Sequence, residues 1–260
     1  MAERILVVER LEKRFGGVQA LSGVSFEVSA GEVLGLIGPN GSGKSTCVSL
    51  IAGTIAPTSG SIQLFGQDLR GEPIHSRVRL GLARTFQTTS LFLELSARQQ
   101  VLTACHTRFD DSVAGTVLRQ PASRRAMTEQ ATRTQAILAF VGLGERMDTG
   151  CAELSSAEQR LLMIATALAS APKVLLLDEP AAGMVANDRR QLAQLIVKLR
   201  AQGMGVLVIE HHMGLIMEVC DRIVVLNFGR KIAEGTPDEV GRNQAVVDAY
   251  LGRAHDAQAA

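Results

Sequence analysis

The stretch "GPNGSGKST" at residues 38–46 limits the folds open to this chain more than any other feature of its sequence. It fits the pattern G-x-x-x-x-G-K-[ST], follows directly on the apolar run "VLGLI", and precedes "TCVSLIAG", which can continue as a helix. Such a loop wraps an anion, because glycine tolerates unusual backbone conformations and a helix N-terminus favours phosphate. The sequence therefore predicts a phosphate-binding loop between a strand and a helix of an α/β fold.

Within this loop, individual residues have distinct expected roles. Lys44 is expected to neutralise β- and γ-phosphate oxygens of a nucleotide, and the Ser45 hydroxyl to ligate Mg²⁺. The alternative is a chance glycine-rich turn, which the flanking strand and helix argue against. The predicted nucleotide-binding residues of the loop are Gly38, Pro39, Asn40, Gly41, Ser42, Gly43, Lys44, Ser45 and Thr46.

A second motif, "KVLLLDEP" at residues 173–180, is an apolar strand that ends in two carboxylates. Asp178 at the strand tip suits a role in holding Mg²⁺, and Glu179 is placed to polarise an attacking water. Alone, the pair would be equally consistent with a solvated acidic turn. The chain has no N-K-x-D motif, which speaks against a GTPase, and a Glu directly after the Asp favours ATP hydrolysis over phosphoryl transfer to a substrate.

The apolar runs predict the surrounding architecture. Runs at 33–38, 174–178 and 206–210 are apolar on both faces, as central strands of a covered parallel sheet are. Between the last two lies a segment with apolar residues at helical spacing and Gly203 as its stop. The positions expected to face the core in that helix are Leu192, Leu195, Ile196 and Leu199.

Other segments are predicted from weaker patterns. Residues 90–170 lack strong strand signals, so we expect a mostly helical subdomain there, with an exposed basic turn at 119–125. A hairpin centred on Gly229 is expected near the C-terminus. His211 and His212 follow a predicted strand, and adjacent strand residues point to opposite faces, which disfavours shared metal ligation.

Composition narrows the class of partner. The net charge of +1 and an aromatic content of 3% give no reason to expect a nucleic-acid partner. Four scattered cysteines without a C-x-x-C pair indicate a reducing compartment. No apolar stretch approaches the roughly 18 residues needed to span a bilayer, which predicts a soluble chain that can still have a membrane partner.

These motifs, in this order, resemble the ATP-binding subunits of ABC transporters over nearly the whole chain. The resemblance implies that Phe15 stacks on adenine, that Gln87 touches Mg²⁺ and the attacking water, and that His211 contacts the γ-phosphate. It also implies that "PAAGM" at 180–184 crosses to a partner subunit, with Met184 where leucine is usual. Taken alone, each of these residues has an ordinary structural explanation, such as a core Phe or a surface Gln.

The segment "LSSAEQ" resembles the family signature, which acts on ATP held by the opposite subunit. Its expected contact residues are Ser155, Ser156, Ala157 and Glu158. The same residues form an S-x-x-E capping box at a helix N-terminus, ahead of inward-facing Leu161, Leu162, Ile164 and Leu168, and both interpretations can hold at once. The family usually has glycine where this chain has Ala157, so we expect reduced rather than abolished hydrolysis.

The stretches "GLARTFQTTSLF", "IEHHMGLIMEVCDRIVVLNFGRKIAEGTPDEV" and "VVDAYLG" resemble the branched-chain amino-acid importers, whose larger ATP-binding subunit has an insertion near 105–130. The implied partners are a second ATP-binding subunit (the same chain or a paralogue), two membrane permease subunits and an external solute-binding protein, with ATP and Mg²⁺ as cofactors. Alternatives are an importer of urea, amides or other small carboxylates, a soluble non-transport ABC ATPase, or a regulatory nucleotide-binding module.

The expected fold class is α/β: a P-loop NTPase core with an antiparallel β subdomain and an inserted helical subdomain. The chain is expected to be one ABC domain, peripheral on the cytoplasmic face of the membrane. Its expected parts are the core at 1–88 and 166–240, the helical subdomain with the signature at 89–165, and a C-terminal helix and tail at 241–260.

Overall fold

The structure is a computed structural model that describes residues 3–85, 91–105 and 121–256, with only the backbone described for 121–127 and 251–256. The strands in these residues are β1 (Arg4–Phe15), β2 (Val18–Ser29), β3 (Val33–Ile37), β4 (Ser59–Leu64), β5 (Gln67–Asp68), β6 (Leu82–Arg84), β7 (Val174–Asp178), β8 (Gly205–Ile209), β9 (Arg222–Asn227) and β10 (Arg230–Gly235).

The α-helices of the described residues, in chain order, are α1 (Lys44–Ala52), α2 (Ile74–Arg79), α3 (Ala97–Cys105), α4 (Pro121–Phe140), α5 (Ser156–Leu168), α6 (Ala186–Ala201), α7 (Met213–Val219), α8 (Pro237–Gly241) and α9 (Gln244–Asp256). Two short 3₁₀ turns, Gly144–Arg146 and Cys151–Glu153, lie between α4 and α5. Among the helices described, none combines the length and apolar character that crossing a membrane requires.

A sheet with the strand order β10-β9-β3-β8-β7-β6 forms the centre of the fold. Strands β3, β6, β7, β8 and β9 are mutually parallel, and β10 adds an antiparallel edge. Every residue of β3, β7 and β8 is buried, as expected for parallel strands covered on both faces. The predicted α/β fold with a P-loop core is confirmed.

The two faces of this sheet pack into separate hydrophobic clusters. Because successive strand side chains point to opposite faces, Leu175 and Leu177 join one cluster while Leu176 joins the other. The first cluster includes the inner faces of α5 and α6, and the second includes α1 and the strands β1 and β2. The sheet is therefore held from both sides, which fixes the positions of its strand ends.

A smaller antiparallel sheet, ordered β2-β1-β4-β5, covers one side of the core. Its long strands β1 and β2 pair along most of their length, with several register shifts. The inward residues of β1, Leu6, Val8 and Leu11, belong to the same cluster as α1. This sheet brings the turn between β1 and β2 close to the phosphate loop.

The segment between β6 and β7 is mostly helical where it is described, as the sequence predicts. The expected exposed basic turn at 119–125 is wrong from residue 121 onward, because α4 begins at Pro121. Proline suits the first position of a helix, since its missing N–H has no intrahelical partner there and its φ is already helical. Proline can therefore start a helix as readily as a turn.

The helix predicted after β7 is confirmed as α6. Its expected core residues, Leu192, Leu195, Ile196 and Leu199, are all buried. Gly203 follows the helix with φ of +83°, a left-handed conformation that glycine adopts without strain. The hairpin expected at Gly229 is also present, as β9 and β10.

Candidate nucleotide site

The phosphate loop follows β3 and ends in α1, at the carboxyl edge of the sheet. Gly38 has φ of +149°, and a Cβ added there would lie 2.1 Å from the Leu226 carbonyl oxygen. Gly43 has φ of +104°, and its Cβ would lie 2.8 Å from the Ala20 carbonyl oxygen. Both positions therefore exclude any side chain, which explains why the loop needs glycine there.

Lys44 lies at the first turn of α1 with its ammonium turned back over the loop. Its Nζ donates to the carbonyl oxygens of Gly38 at 2.7 Å and Pro39 at 3.0 Å. The next residue, Ser45, has an exposed side chain, whereas Ser42 is fully buried within the loop. The loop thus presents a cation and a hydroxyl on the same side as the helix N-terminus, an arrangement that suits a phosphate group.

A cavity of about 370 Å³ lies over the phosphate loop. Besides the loop itself, it is lined by Val18, Gln19 and Ala20 of the β1–β2 region and by Phe228 and Gly229 of the β9–β10 hairpin. The Gly229 N–H donates to the Ser42 carbonyl at 3.0 Å, and the Ser22 N–H donates to the Gly229 carbonyl at 2.8 Å. Sequence reasoning predicted this hairpin but gave no signal that it closes the wall of the site.

Phe15, expected to stack on adenine, is the last residue of β1. Its side chain is 48% exposed, so it is not the core Phe that the alternative interpretation would require. The Lys13 ammonium lies 4.9 Å from the ring centroid. Phe15 is not among the residues that line the cavity over the phosphate loop, but it lies three residues before Val18, which does, and its stacking on adenine stays a prediction.

Asp178 is the last residue of β7, the strand that pairs with β8. It is almost completely buried, with only 3% of its surface exposed. Its carboxylate accepts a hydrogen bond from Arg84 Nη2 at 2.8 Å, and its own N–H donates to Thr85 Oγ1 at 3.3 Å. Arg84 ends β6, which runs beside β7. Sequence reasoning missed Arg84, because only the pairing of strands far apart in sequence shows that it reaches Asp178.

Glu179 follows Asp178 with φ of +48°, a left-handed backbone conformation that is uncommon for residues other than glycine. Its N–H donates to the Ile209 carbonyl at the end of β8 at 2.9 Å, which holds the turn in place. Strained residues of this kind concentrate at functional sites, where surrounding structure enforces them. Glu179 therefore lies in a fixed turn at the edge of the sheet where the phosphate loop also lies.

His211 and His212 lie beyond the end of β8, as predicted, so the alternation of side chains along a strand does not apply to them. His212 is the N-cap of α7, and its Nδ1 accepts a hydrogen bond from the Leu215 N–H at 3.2 Å. The His211 side chain is 66% exposed. In the described residues, no group of three or more His, Cys, Asp and Glu side chains could hold a metal ion.

The signature segment forms the N-terminus of α5, and the predicted capping box is confirmed. The Glu158 N–H donates to Ser155 Oγ at 3.2 Å, while the Ser155 N–H donates to Glu158 Oε2 at 2.8 Å. This backbone hydrogen bond holds the pKa of Glu158 below its usual value, with a further contribution from Arg146. The four core leucine and isoleucine positions of α5 are buried, as predicted.

Within one chain, the two halves of the expected site remain apart. Of the residues described, Ser155, Ser156, Ala157 and Glu158 are not among those lining the cavity over the phosphate loop. Ser155 and Ser156 are exposed, and Ala157 is partly buried against the core cluster. Gln87, expected to contact Mg²⁺, lies outside the described residues.

All four cysteines are buried thiols. Burial raises the pKa of Cys47, three residues after Lys44, to about 12, and that of Cys220 also to about 12. A larger cavity of about 560 Å³ lies around Lys173 and Phe65, near the amino ends of β7 and β8, and none of the described residues predicted to bind nucleotide or Mg²⁺ lines it. Of the predicted site residues, the six from Gly41 to Thr46 line the cavity over the phosphate loop, whereas Asp178 lines a separate small pocket with Thr85 and Arg160.

Two sequence families match the chain. The family described as "ABC transporter" matches residues 21–182, which is more than half of the chain. The family described as "Branched-chain amino acid ATP-binding cassette transporter" matches residues 230–256, which contain β10, α8 and α9.

Similar proteins match over nearly their full length. High-affinity branched-chain amino acid transport ATP-binding proteins, LivG of Salmonella typhimurium and BraF of Pseudomonas aeruginosa, are each 39% identical over 98% of this chain and 100% of their own. The lipopolysaccharide export system ATP-binding protein LptB of Acidithiobacillus ferridurans is 34% identical over 95% of this chain and 97% of its own.

A solved structure, the ADP conformation of an ATP-binding cassette of an ABC transporter, superimposes with a TM-score of 0.83. It is 29% identical and covers 96% of this chain and 99% of its own. The resemblance read from the motifs is thus confirmed. The chain belongs to the ATP-binding subunits of ABC transporters, and its C-terminal segment has the pattern of the branched-chain amino-acid branch.

Proposed function

We propose that this chain is the ATP-hydrolysing subunit of an ABC importer for branched-chain or related amino acids. The observation that supports it most is the meeting of the phosphate loop, Asp178, Glu179 and the His211 loop at one edge of the central sheet. The relatives with 39% identity are named as branched-chain amino acid transport ATP-binding proteins. They favour this solute class over the lipopolysaccharide exporter relative at 34%.

In the proposed mechanism, the phosphate loop binds the phosphates of ATP through its backbone N–H groups and the N-terminus of α1. Lys44 neutralises the β- and γ-phosphate oxygens, exchanging its bonds to the Gly38 and Pro39 carbonyls for bonds to phosphate. Phe15 offers its exposed ring to the adenine. Lys44 already lines the cavity over the phosphate loop, and Phe15 lies three residues before Val18, which also lines it.

The residues also fit a Mg²⁺ ion. The Ser45 hydroxyl and the Asp178 carboxylate are hard oxygen donors, the type that Mg²⁺ prefers, and Gln87 would add an amide oxygen. When bound, Mg²⁺ would neutralise negative charge on the phosphates of ATP. The buried Asp178 is fixed for this role by Arg84 and Thr85.

Hydrolysis requires a water aligned with the γ-phosphate. Glu179 accepts the hydrogen bond that polarises this water, and His211 contacts the γ-phosphate. The short connections from β7 and β8 place both groups, since the Glu179 N–H is bonded to the last residue of β8. Both residues thus lie just past the ends of two neighbouring strands, at the same edge of the sheet.

The second half of the site comes from another ATP-binding subunit. Dimerisation of ATP-binding cassettes and association with membrane permeases are typical of the family. We propose that Ser155, Ser156 and the N-terminal amides of α5 bind the γ-phosphate of ATP held by the opposite subunit, the same chain or a paralogue. Ala157 adds a methyl group at this contact, which lowers the rate without abolishing it.

The proposal also gives the position of the subunit at the membrane and the division of its chain into parts. The subunit is peripheral on the cytoplasmic face of the membrane and works with two permease subunits and an external solute-binding protein. Its core comprises 1–88 and 166–240, the helical subdomain 89–165 carries the signature, and 241–260 forms the C-terminal helix and tail. The helical subdomain would transmit closure of the ATP-binding dimer to the permease.

The test is transport by the assembled complex. The chain is combined with its membrane partners and binding protein in vesicles, and ATP-dependent uptake of labelled leucine, urea and a short amide is compared. Glu179→Gln supplies the blank without hydrolysis. Uptake of leucine above the blank supports the proposal, uptake of urea or amide alone supports the alternative importers, and ATP hydrolysis without any permease association would contradict a transport role.

A further inference from the structure

The carboxylate of Glu210 lies between two loops that the proposed mechanism uses, yet no motif assigned it a role. Glu210 directly follows β8 and is 1% exposed. Its Oε1 accepts a hydrogen bond from the Ala181 N–H at 2.8 Å, and its Oε2 accepts from the N–H groups of His211 at 2.9 Å and His212 at 3.0 Å. One carboxylate thus bonds three backbone amides on two separate loops.

The buried Glu210 carboxylate depends on these three hydrogen bonds. Burial of a carboxylate is costly unless hydrogen-bond donors replace its water, and charged acceptors make the stronger hydrogen bonds. The two oxygens face different loops: Oε1 faces the loop after Glu179, and Oε2 faces the loop of His211. Moving either loop would leave part of the buried carboxylate unbonded, so the two loops are held in one relative arrangement.

Neighbouring bonds reinforce the connection. The Glu179 N–H donates to the Ile209 carbonyl at 2.9 Å, one residue before Glu210. On the other side, His212 caps α7 through its Nδ1. Hydrogen bonds therefore link Glu179 to the end of β8, and link Glu210 through His212 to α7.

We infer that Glu210 is a positioning residue for hydrolysis, whose carboxylate sets the spacing between the Glu179 loop and the His211 loop. The inference rests on the proposed roles of Glu179 and His211. Small displacements of groups that act on the attacking water or the γ-phosphate cost large factors in rate. ATP binding itself depends on the phosphate loop, which Glu210 does not touch in these bonds.

The test is Glu210→Gln, which keeps the side-chain shape but has a single acceptor oxygen. The amide can accept from one loop, and its NH₂ then faces an N–H of the other. In the assembled complex we expect kcat for ATP hydrolysis to fall about tenfold, while the Kd of the isolated chain for ATP stays within about twofold. In a His211→Ala background, Glu210→Gln is expected to lower kcat by less than about threefold. The His211 side chain, one of the two groups that Glu210 positions, is already absent there.

A matched control is Glu32→Gln, at the amino ends of the strands. The Glu32 carboxylate accepts from the Ser29 N–H at 2.7 Å and from Arg222 Nε at 2.9 Å. This change should lower Tm and leave kcat unaltered. A folded Glu210→Gln protein with wild-type kcat, or the same loss of kcat in both backgrounds, would overturn the inference.

Two further results distinguish a failure of the proposed function from a failure of the inference about Glu210. If Glu179→Gln and His211→Ala hydrolyse ATP at the wild-type rate, the proposed site is wrong, whatever Glu210 does. Hydrogen exchange in the wild-type protein tests the bonds even where Glu210→Gln does not fold. The amides of Ala181, His211 and His212 should exchange as slowly as those of β7 and β8, and rapid exchange of all three would overturn the inference.

Discussion

The edge of the central sheet and the N-terminus of α5 are built in opposite ways. At the sheet edge, polar groups are held by residues distant in sequence, as in the bond from Arg84 to Asp178, 94 residues apart. At α5, the capping box joins Ser155 to Glu158, only three residues apart. The first region is a cavity that the whole fold creates, whereas the second is a locally capped surface whose serines are exposed.

This difference has a functional meaning. The sheet edge holds groups suited to binding phosphate and polarising water, and one chain assembles them. The N-terminus of α5 holds exposed serines and helix amides that one chain does not bring to the cavity. Because a helix N-terminus favours phosphate, a second subunit can supply what the first lacks. We therefore place one ATP site across two subunits.

The largest expected effect is on the rate at the sheet edge. Glu179→Gln keeps the shape of the side chain and removes its ability to accept the proton of water, so kcat should fall by a factor of about a thousand. Steady-state ATP hydrolysis in the assembled complex measures it. Glu153→Gln, an exposed carboxylate near the signature, is the control and should leave kcat unaltered.

A second effect concerns the stability of the same edge. Arg84→Met leaves the buried Asp178 carboxylate without its guanidinium and should lower the free energy of unfolding by about 3 kcal/mol. Arg98→Met breaks an ion pair of the same 2.8 Å length to Asp148, but that pair is exposed and should cost only about 0.5 kcal/mol. Urea denaturation compares the two variants, and equal losses would contradict the contrast between the regions.

At the signature helix, a smaller effect is expected. Ser155→Ala removes the side-chain acceptor for the Glu158 N–H and should cost about 1 kcal/mol of stability. If the serine also contacts ATP on another subunit, kcat of the assembled complex should fall as well, with unaltered ATP binding by the isolated chain. Loss of ATP binding by the isolated chain would argue that the helix belongs to the chain's own site.

The capping box also predicts a pH dependence. Its hydrogen bond from the Ser155 N–H holds the folded-state pKa of Glu158 below the unfolded value, so the ionised form is preferred in the folded protein. The resulting stability is present above the unfolded pKa and is lost as pH falls through the folded pKa. The stability difference between wild type and Glu158→Gln should therefore be greatest near neutral pH and vanish in acid. A difference that does not change with pH would contradict this explanation.

The smallest effect is expected at Ala157. Ala157→Gly should cost less than about 1 kcal/mol of stability, because glycine is a poorer helix former. Removal of the methyl group should raise kcat modestly, if the methyl lies at the contact with ATP. Hydrolysis that appears only in Ala157→Gly would instead show that this signature is degenerate and that the chain is the unequal half of a heteromeric complex.

How much of the site the sequence alone predicts depends on how far apart the interacting residues lie along the chain. The phosphate loop, the acidic end of β7 and the capping box were predictable, since each is defined by neighbours in sequence. Arg84, Glu210 and Phe228 were not, because their partners lie on other strands or loops. The wrongly predicted basic turn shows that neighbours in sequence can also mislead. Pro121 is compatible with a turn or with a helix start, and only the structure shows that a helix begins there.

The most direct test of the two-subunit site uses Ser155→Arg in the assembled transporter, where the arginine would block the helix N-terminus without touching the phosphate loop. We predict that the isolated Ser155→Arg chain binds ATP like wild type, while the assembled Ser155→Arg complex loses most of its ATP hydrolysis. Mixing Ser155→Arg with Lys44→Ala chains should restore part of it, since one intact site can then form. Wild-type hydrolysis by the Ser155→Arg complex would contradict the account.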